Sequence, residues 1–299
     1  MHSQRPANGF LLLSVVLCGV VTVANSLSAE ETPASAIRIA RQGSWWTATS
    51  SNFKVRSTSS SVDVAEICEL CETYRTHLIR CWRPKDGQHQ RHWTPRCEVV
   101  VHATITEYHR QLSRAAGNSV GCTTVQVKQG QVQVRRIDLR ADASDWAIDA
   151  LPHEMTHVVL TDQFGDQLPP LWADEGMSVL AESTAKRQIR LEASRTDEAR
   201  RSTISAASLL FDDTLPRTRR DAFYSCSSEL VAFLIEQKDA PSFLRFLSDA
   251  RKRGYDTALK SEYNINGVSH LQSLWRNHHA QHRSQPAALE SLRLLGAAQ

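Results

Sequence analysis

The sequence predicts an α+β fold, in which a mixed, mostly antiparallel sheet with helices precedes a largely helical C-terminal half. Before residue 145, short β-prone runs alternate with helical segments, whereas apolar residues after it recur mainly at helical spacing. A hairpin pattern around Gly130 makes part of the sheet antiparallel. The 299-residue chain is long enough to bury a sizeable core around such a sheet.

The N-terminus has the pattern of an export signal. His2 and Arg5 precede an apolar run over 10–24, and small residues between Ser26 and Ala29 suit a signal peptidase. A membrane span needs about 20 residues, so this run is short for one, although an uncleaved anchor stays an alternative. We predict an exported protein, whether periplasmic, extracellular or cell-surface, without stable membrane insertion after cleavage.

Composition and charge bound the function classes. Hydrophobic residues make up 41% and charged residues 22%, which is ordinary globular usage. The net charge is only +3, and nothing in the sequence suggests the strongly basic domain or face of a nucleic-acid-binding protein. The predicted divisions are a signal peptide over 1–29, a flexible mature N-terminus over 30–44, an α/β subdomain over 45–144, a helical subdomain over 145–280 that carries the motif below, and a tail over 281–299.

The N-terminal elements follow from residue periodicity, in chain order. They are a strand around Phe53 to Arg56, a helix within 59–82 that Ser61 or Asp63 can cap, a loop over 83–96, a strand over 97–103, and a helix over 106–117 that ends at Gly117. The hairpin comes next, because Val125 and Val127 are expected to face Val132 and Val134 across a Lys-Gln-Gly-Gln turn.

The C-terminal half reads as consecutive helices. Pro152 is tolerated only in a first helical turn, so one helix starts near Leu151, or a longer helix from Asp145 is kinked there. The remaining expectations are a second helix over 169–195, a surface segment over 196–221 around an apolar Leu-Leu-Phe, and three helices within 224–237, 241–254 and 268–278.

Six cysteines remain after signal cleavage, and an even count in an exported chain is compatible with disulfides. Six cysteines allow 15 connectivities, so the pairing stays open. Cys68 and Cys71 form C-x-x-C, a redox or zinc motif or two structural cysteines one helical turn apart. We favour the structural interpretation because no second C-x-x-C and no thioredoxin-like context follows.

The chemistry is concentrated in HEMTH, residues 153–157. On a helix His153 and His157 lie on one face, so both imidazoles can bind one zinc ion, while Glu154 can reach a metal-bound water as general base. The alternative is a solvated helix with two incidental histidines. A catalytic zinc needs a third protein ligand and an open position.

The third ligand is a choice between carboxylates. The metzincin pattern would place glycine and histidine where Leu160 and Gln163 stand, which excludes that class. A following helix carries LWADEG, and its Asp174 and Glu175 compete for the ligand role. A loop with Gly165 and two prolines can lay that helix beside the first.

HEMTHVVL followed by LPPLWADEGMSVLAE resembles the gluzincin metallopeptidases, whose H-E-x-x-H is completed by a W-x-x-E-G helix. More narrowly, it is similar to the bacterial exported peptidase MA-like family with its P-x-W-x-x-E-G-x-A pattern. The likeness extends over about residues 50–278, strongly at the motif and loosely elsewhere. The matching residues are Pro170, Trp172, Glu175 and Gly176, with Ser178 in the place of alanine.

The resemblance implies a zincin-like fold and peptide-bond hydrolysis of a peptide or protein substrate. It implies one Zn²⁺ held by His153, His157 and Glu175 with water in the fourth place, and Glu154 as the general base that later protonates the leaving amine. Tyr224 falls where related gluzincins carry a tyrosine that can donate to the oxyanion, although it could simply pack its helix.

Further expectations concern the surroundings of the metal. The hairpin over 123–139 could supply the sheet edge to which gluzincin substrates add. Val179 stands where a thermolysin-like site has an acid, so Asp149, Asp162 or Glu182 is expected to orient an imidazole instead. The chain lacks the G-x-M-E-N stretch of gluzincin aminopeptidases, which leaves endo- or exopeptidase action open.

A different class of function remains as an alternative, namely an exported non-catalytic zinc-binding or scaffold domain. A structural zinc would need a fourth ligand, for which a distant Cys122 or Cys226 is available. His270, His278 and His279 have no ligand spacing and are expected on the surface. The oligomeric state cannot be predicted from these patterns.

Overall fold

A computed structural model describes residues 37–82, 92–112, 117–165, 168–199, 204–214 and 219–282. The predicted signal peptide and the tail from residue 283 lie outside this part, as do residues 83–91 of the predicted loop. No helix in the described ranges is long and apolar enough to cross a membrane.

A mixed sheet forms the N-terminal half, in the order β1-β2-β3-β4-β6-β5. The pairs β3–β4 and β4–β6 are parallel and the other three are antiparallel, so the predicted α+β class with a mostly antiparallel sheet is confirmed. The strands are β1 (Arg38–Gln42), β2 (Trp45–Thr49), β3 (Phe53–Ser57), β4 (Cys97–His102), β5 (Gly121–Lys128) and β6 (Gln131–Arg140).

Strand β1 falls within residues 30–44, where a flexible mature N-terminus was expected, and residues 30–36 lie outside the described part. All five of its side chains are exposed, so it has no apolar alternation for a sequence reading to detect. The strand is held by antiparallel backbone pairing with β2, which runs from Arg38 opposite Thr49 to Gln42 opposite Trp45.

Two helices pack with the sheet before the hairpin, α1 (Val64–Trp82) and α2 (Ile105–Leu112). Asp63 caps α1, because its Oδ1 accepts from the backbone N–H groups of Ala65 and Glu66. Cys68 and Cys71 are completely buried on this helix, as structural cysteines would be. Among the cysteines of the described ranges, Cys68, Cys71, Cys97 and Cys122 are free thiols.

The predicted hairpin is formed by β5 and β6, with Gln129 and Gly130 at positive φ in the turn. Val127 faces Val132 as expected, but a register shift after Gln126 places Val125 opposite Arg135 instead of Val134. Strand β6 lies inside the sheet, so β5 forms the edge on this side in the part of the chain that the structure describes.

Consecutive helices make up the C-terminal half. The motif helix starts at Ala150, which confirms the first of the two expected starts and places Pro152 in the first turn. The helices are α3 (Ala150–Phe164), α4 (Leu171–Leu180), α5 (Thr184–Ala199), α6 (Ala206–Phe211), α7 (Arg220–Gln237), α8 (Ala240–Arg253), α9 (Tyr255–Tyr263) and α10 (Gly267–His282).

The expected single helix over 169–195 is wrong, since the chain breaks it into α4 and α5. At the break the N–H groups of Ala181 and Glu182 bond three residues back, to Ser178 and Val179, and end α4 in a tightened turn. Ser183 then caps α5, because its Oγ accepts from the Lys186 N–H. The break re-aims the chain and lets α5 pack against α7.

Gly176 sets the distance between α4 and α7. A Cβ atom at this position would lie 2.7 Å from the carbonyl oxygen of Ser227 and 2.7 Å from Val231 Cγ2. Because no other residue lacks a Cβ, the close approach of the two helices depends on this glycine.

Candidate metal centre

The motif histidines lie one turn apart on α3. The ring centroids of His153 and His157 are 5.2 Å apart, and their planes meet edge to face at 73°. Both side chains are half-buried, so the helix presents two imidazoles to one partly enclosed space.

Glu175 reaches that space from α4. Its Oε2 lies 3.4 Å from His153 Nε2 and 3.9 Å from His157 Nε2. One ligand atom from each of the three residues falls within 4.8 Å of the others, and no other group of this kind exists within the described residues.

The three residues fit a bound metal ion. Glu175 Oε2 is buried and has no hydrogen-bond partner, so a cation can satisfy an acceptor that the protein leaves unsatisfied. Zinc bonds of 2.0–2.1 Å in tetrahedral geometry imply ligand separations of about 3.3 Å. The distances from Glu175 Oε2 to the two Nε2 atoms, 3.4 and 3.9 Å, are close to this value. Nitrogen and carboxylate donors also suit zinc chemically.

Carboxylates hold the other ring nitrogens. His153 Nδ1 lies 2.9 Å from Glu182 Oε1, and His157 Nδ1 lies 3.0 Å from Asp174 Oδ1 and 3.3 Å from Ser178 Oγ. An acceptor at Nδ1 fixes the ring orientation and leaves the Nε2 lone pair facing the space that Glu175 Oε2 also faces.

These contacts resolve the candidates for orienting acids. Glu182 contacts an imidazole, whereas Asp149 accepts from the Ser183 N–H and Asp162 pairs with Arg135 at 2.5 Å. Asp174, which had been expected to compete for the ligand role, lies against His157 Nδ1. Its place directly before Glu175 in the sequence is the feature from which a contact with the site could have been expected.

The titration of the metal-free cluster reflects this crowding of carboxylates. Burial acts to lower the pKa of His153, but the adjacent carboxylates of Glu175 and Glu182 outweigh it and raise that pKa to about 10. The pKa of His157 rises to about 9 against the same burial effect, chiefly because of Asp174. Burial acts to raise the pKa of Glu182, yet His153 and Arg190 bring it down to about 2.

Glu154 packs against the edge strand. Thr123 Oγ1 donates to the Glu154 carboxylate over 2.7 Å and also lies 3.0 Å from its backbone oxygen. A Cβ at Gly121 would come within 2.7 Å of Glu154 Cγ, so the strand backbone passes directly over this side chain. The Thr123 contact could not be expected from sequence, because it depends on how α3 crosses β5.

Tyr224 is brought to the site by α7. Its ring lies edge-on to His153 with centroids 6.3 Å apart, and the Arg190 guanidinium carbon lies 4.8 Å from its ring centre. Burial raises the pKa of Tyr224, and the negative charge of Glu175 raises it further, so the phenol keeps its proton.

The remaining candidates lie outside this group. Cys122 and Cys226 are half-buried, and the metal-ligand cluster found in the described ranges includes neither of them. His270 and His278 lie on α10, and His278 forms a 2.9 Å hydrogen bond with Glu236 on α7. The side chain of His279 is outside the described part.

Comparison with known proteins adds one finding. A family model described as the Peptidase MA superfamily matches residues 123–281, from strand β5 to the last described helix and more than half of the chain. The match includes every residue of the cluster. A search of the curated proteins found no match.

Proposed function

Since the chain belongs to the peptidase MA superfamily, we propose that it hydrolyses peptide bonds with one zinc ion held by His153, His157 and Glu175. The superfamily indicates a metal-dependent peptidase, and the gluzincin subtype and the choice of zinc are our proposal. The observation that carries it is the convergence of two carboxylate-oriented imidazoles on a buried Glu175 oxygen without a hydrogen bond.

The chain's own groups divide the proposed reaction between them. A bound zinc ion supplies Lewis acidity that activates a water molecule and polarises the scissile carbonyl. Glu154, one residue after a ligand, takes the proton of the attacking water and returns it to the leaving amine. Thr123 holds that carboxylate in place, and the Tyr224 phenol donates a hydrogen bond to the carbonyl oxygen as negative charge develops there.

The substrate is proposed to bind along the outer edge of β5. Among the described strands it pairs with β6 alone, so one row of its backbone groups is available to an extended peptide. The contact between Thr123 and Glu154 supports this position, because a peptide bound along β5 would pass next to the proposed general base. The apolar run over 10–24 supports action outside the cytoplasm, on peptide or protein substrates there.

The test is a comparison of the mature chain with its Glu154→Gln variant. We expect one zinc per chain in both proteins and cleavage of a denatured, unstructured protein by the wild type. Loss of the general base should slow cleavage by about 10²–10⁴-fold. Glu69→Gln, an exposed change on α1, serves as a control and should keep full activity.

Two outcomes would contradict the proposal. A mature chain that binds no zinc after careful metal loading lacks the centre altogether. A chain that binds one zinc but cleaves none of a broad set of peptides, with or without Glu154, is the non-catalytic zinc-binding domain instead.

A further inference from the structure

Arg190 occupies the junction between the metal ligands and Tyr224. Its Nε and Nη2 donate to the two oxygens of Glu182, each over 2.7 Å, in a bidentate arrangement. Glu182 Oε1 also accepts from His153 Nδ1 at 2.9 Å. The same guanidinium lies 4.8 Å from the ring centre of Tyr224, so one side chain contacts both halves of the proposed machinery.

The position of Arg190 follows from the break after α4. Glu182 lies in the break, between the helix that carries Glu175 and the helix that carries Arg190. Because α5 then packs against α7, Arg190 extends under Tyr224. The Arg190 Nη1 atom also lies 3.6 Å from Asp221, which is on α7 like Tyr224. Only 16% of the side chain is exposed, so it is held among these groups.

We propose that Arg190 is a positioning residue that couples the metal ligand His153, through Glu182, to the phenol of Tyr224. The inference rests on the proposed function for its catalytic half only. Arginine suits the role because its planar fork binds a carboxylate with two hydrogen bonds while its face stacks on an aromatic ring. Lysine keeps the charge but cannot do both.

The two contacts of Arg190 predict two separable effects. The Glu182 contact orients His153, so losing it should weaken zinc binding. The Tyr224 contact sets the direction of the phenol hydroxyl, so losing it should lower kcat while KM changes little, because the phenol acts on charge that develops in the transition state.

The test compares Arg190→Lys with Arg56→Lys as a matched control. Arg56 also joins a carboxylate and an aromatic ring, with Glu98 at 2.8 Å and the Trp45 ring centre at 4.3 Å, but it lies on β3 away from the cluster. We expect Arg190→Lys to weaken zinc binding about 10-fold, measured by competition with a chelator. At saturating zinc, kcat should fall about 10-fold with KM within twofold.

A double variant isolates the phenol contact. In a Tyr224→Phe background, Arg190→Lys should leave kcat at saturating zinc unchanged, because the group that it positions is gone. Arg56→Lys should alter neither zinc affinity nor kcat. Should Arg190→Lys fail to fold, Arg190→Gln is measured in its place, with both losses again expected.

The outcomes separate this inference from the proposed function. Wild-type zinc affinity and wild-type kcat in the Arg190 variants would overturn it, as would kcat losses from Arg190→Lys and Tyr224→Phe that simply multiply. If the wild type cleaves nothing, the proposed function fails, and zinc affinity still decides the Glu182 half: an unchanged affinity overturns the coupling, and a loss supports it.

Discussion

Two regions of the molecule contain the same chain of groups, a histidine bonded to a carboxylate that is bonded to an arginine. In the sheet, His102 Nε2 lies 2.8 Å from Asp138 Oδ1, and Arg136 binds both Asp138 oxygens at 2.6 and 2.7 Å. In the helical half, the chain is His153, Glu182 and Arg190. Each histidine even meets a tyrosine ring edge to face, with centroids 5.7 Å apart in the sheet and 6.3 Å in the helical half.

The two regions differ in whether a carboxylate oxygen near the histidine is left without a hydrogen bond. In the sheet both oxygens of Asp138 are engaged, and Arg136 also reaches Glu98. In the helical half a second imidazole and Glu175 converge, and one buried Glu175 oxygen has no hydrogen bond. A buried histidine on a carboxylate therefore does not by itself indicate a metal. The informative sign is the acceptor left unsatisfied beside two oriented rings.

Exchanging one acid in each region gives the largest contrast. Glu175→Gln should weaken zinc binding by more than about 100-fold, beyond the loss typical of groups outside the ligand set. Asp138→Asn should leave zinc binding intact but lower the free energy of unfolding by about 3 kcal/mol, because it breaks a buried ion pair. Chelator competition and urea denaturation measure the two effects. Equal zinc loss in both variants would remove the distinction between the regions.

A smaller loss of zinc affinity is expected at Glu182, which bonds the proposed ligand His153 rather than the metal. Glu182→Gln keeps the shape of the side chain but removes the charge that orients His153, so zinc affinity should fall by about 10–100-fold. Asp138→Asn is again the reference, since it alters the equivalent acid of the sheet. If Glu182→Gln binds zinc as tightly as the wild type, the carboxylate has no orienting role.

The pH dependence of stability should show the smallest effect. In the metal-free protein the pKa values of His153 and His157 are raised to about 10 and about 9, so the stability that they contribute is complete below their unfolded value of about 6.5. It is lost as the pH rises toward 9–10. The depressed pKa of Glu182 acts on the other side, where stability is lost as the pH falls below about 4.5.

Thermal unfolding tests this expectation directly. With chelator present, Tm should fall by a few degrees, about 2–4 °C for each kcal/mol lost, between pH 6 and pH 9. With zinc present the opposite trend is expected, because binding must displace the imidazole protons and strengthens as the pH rises. A metal-free His153→Gln/His157→Gln variant that shows the same fall would assign the effect to other groups.

Sequence patterns reached the three proposed ligands and named Glu182 among the acids expected to orient an imidazole, but they missed the other groups around the site. His153 and His157 follow from helical spacing, and Glu175 follows from a resemblance to a known motif. Arg190 and Thr123 could not be inferred, because their roles depend on how α5 packs on α7 and how α3 crosses β5. The break at 181–183 was missed for a related reason: helix-forming residues continue on both sides of it, and short backbone bonds end the helix.

Pattern reading likewise recovered those strands that have a buried face. The strand at Phe53 alternates between buried and exposed positions, whereas β1 is exposed throughout and carries no such signal. The bulge after Gln126 shifted one expected pairing, because an extra residue leaves the composition of a strand unchanged.

Gly176 has a consequence for protein engineering. It directly follows the proposed ligand Glu175, and its missing side chain lets α4 touch the backbone of α7, the helix that bears Tyr224. A grafted copy of the α3–α4 ligands on a new scaffold would therefore lack its phenol unless α7 came with it. The smallest transplantable unit contains all three helices, with that glycine kept.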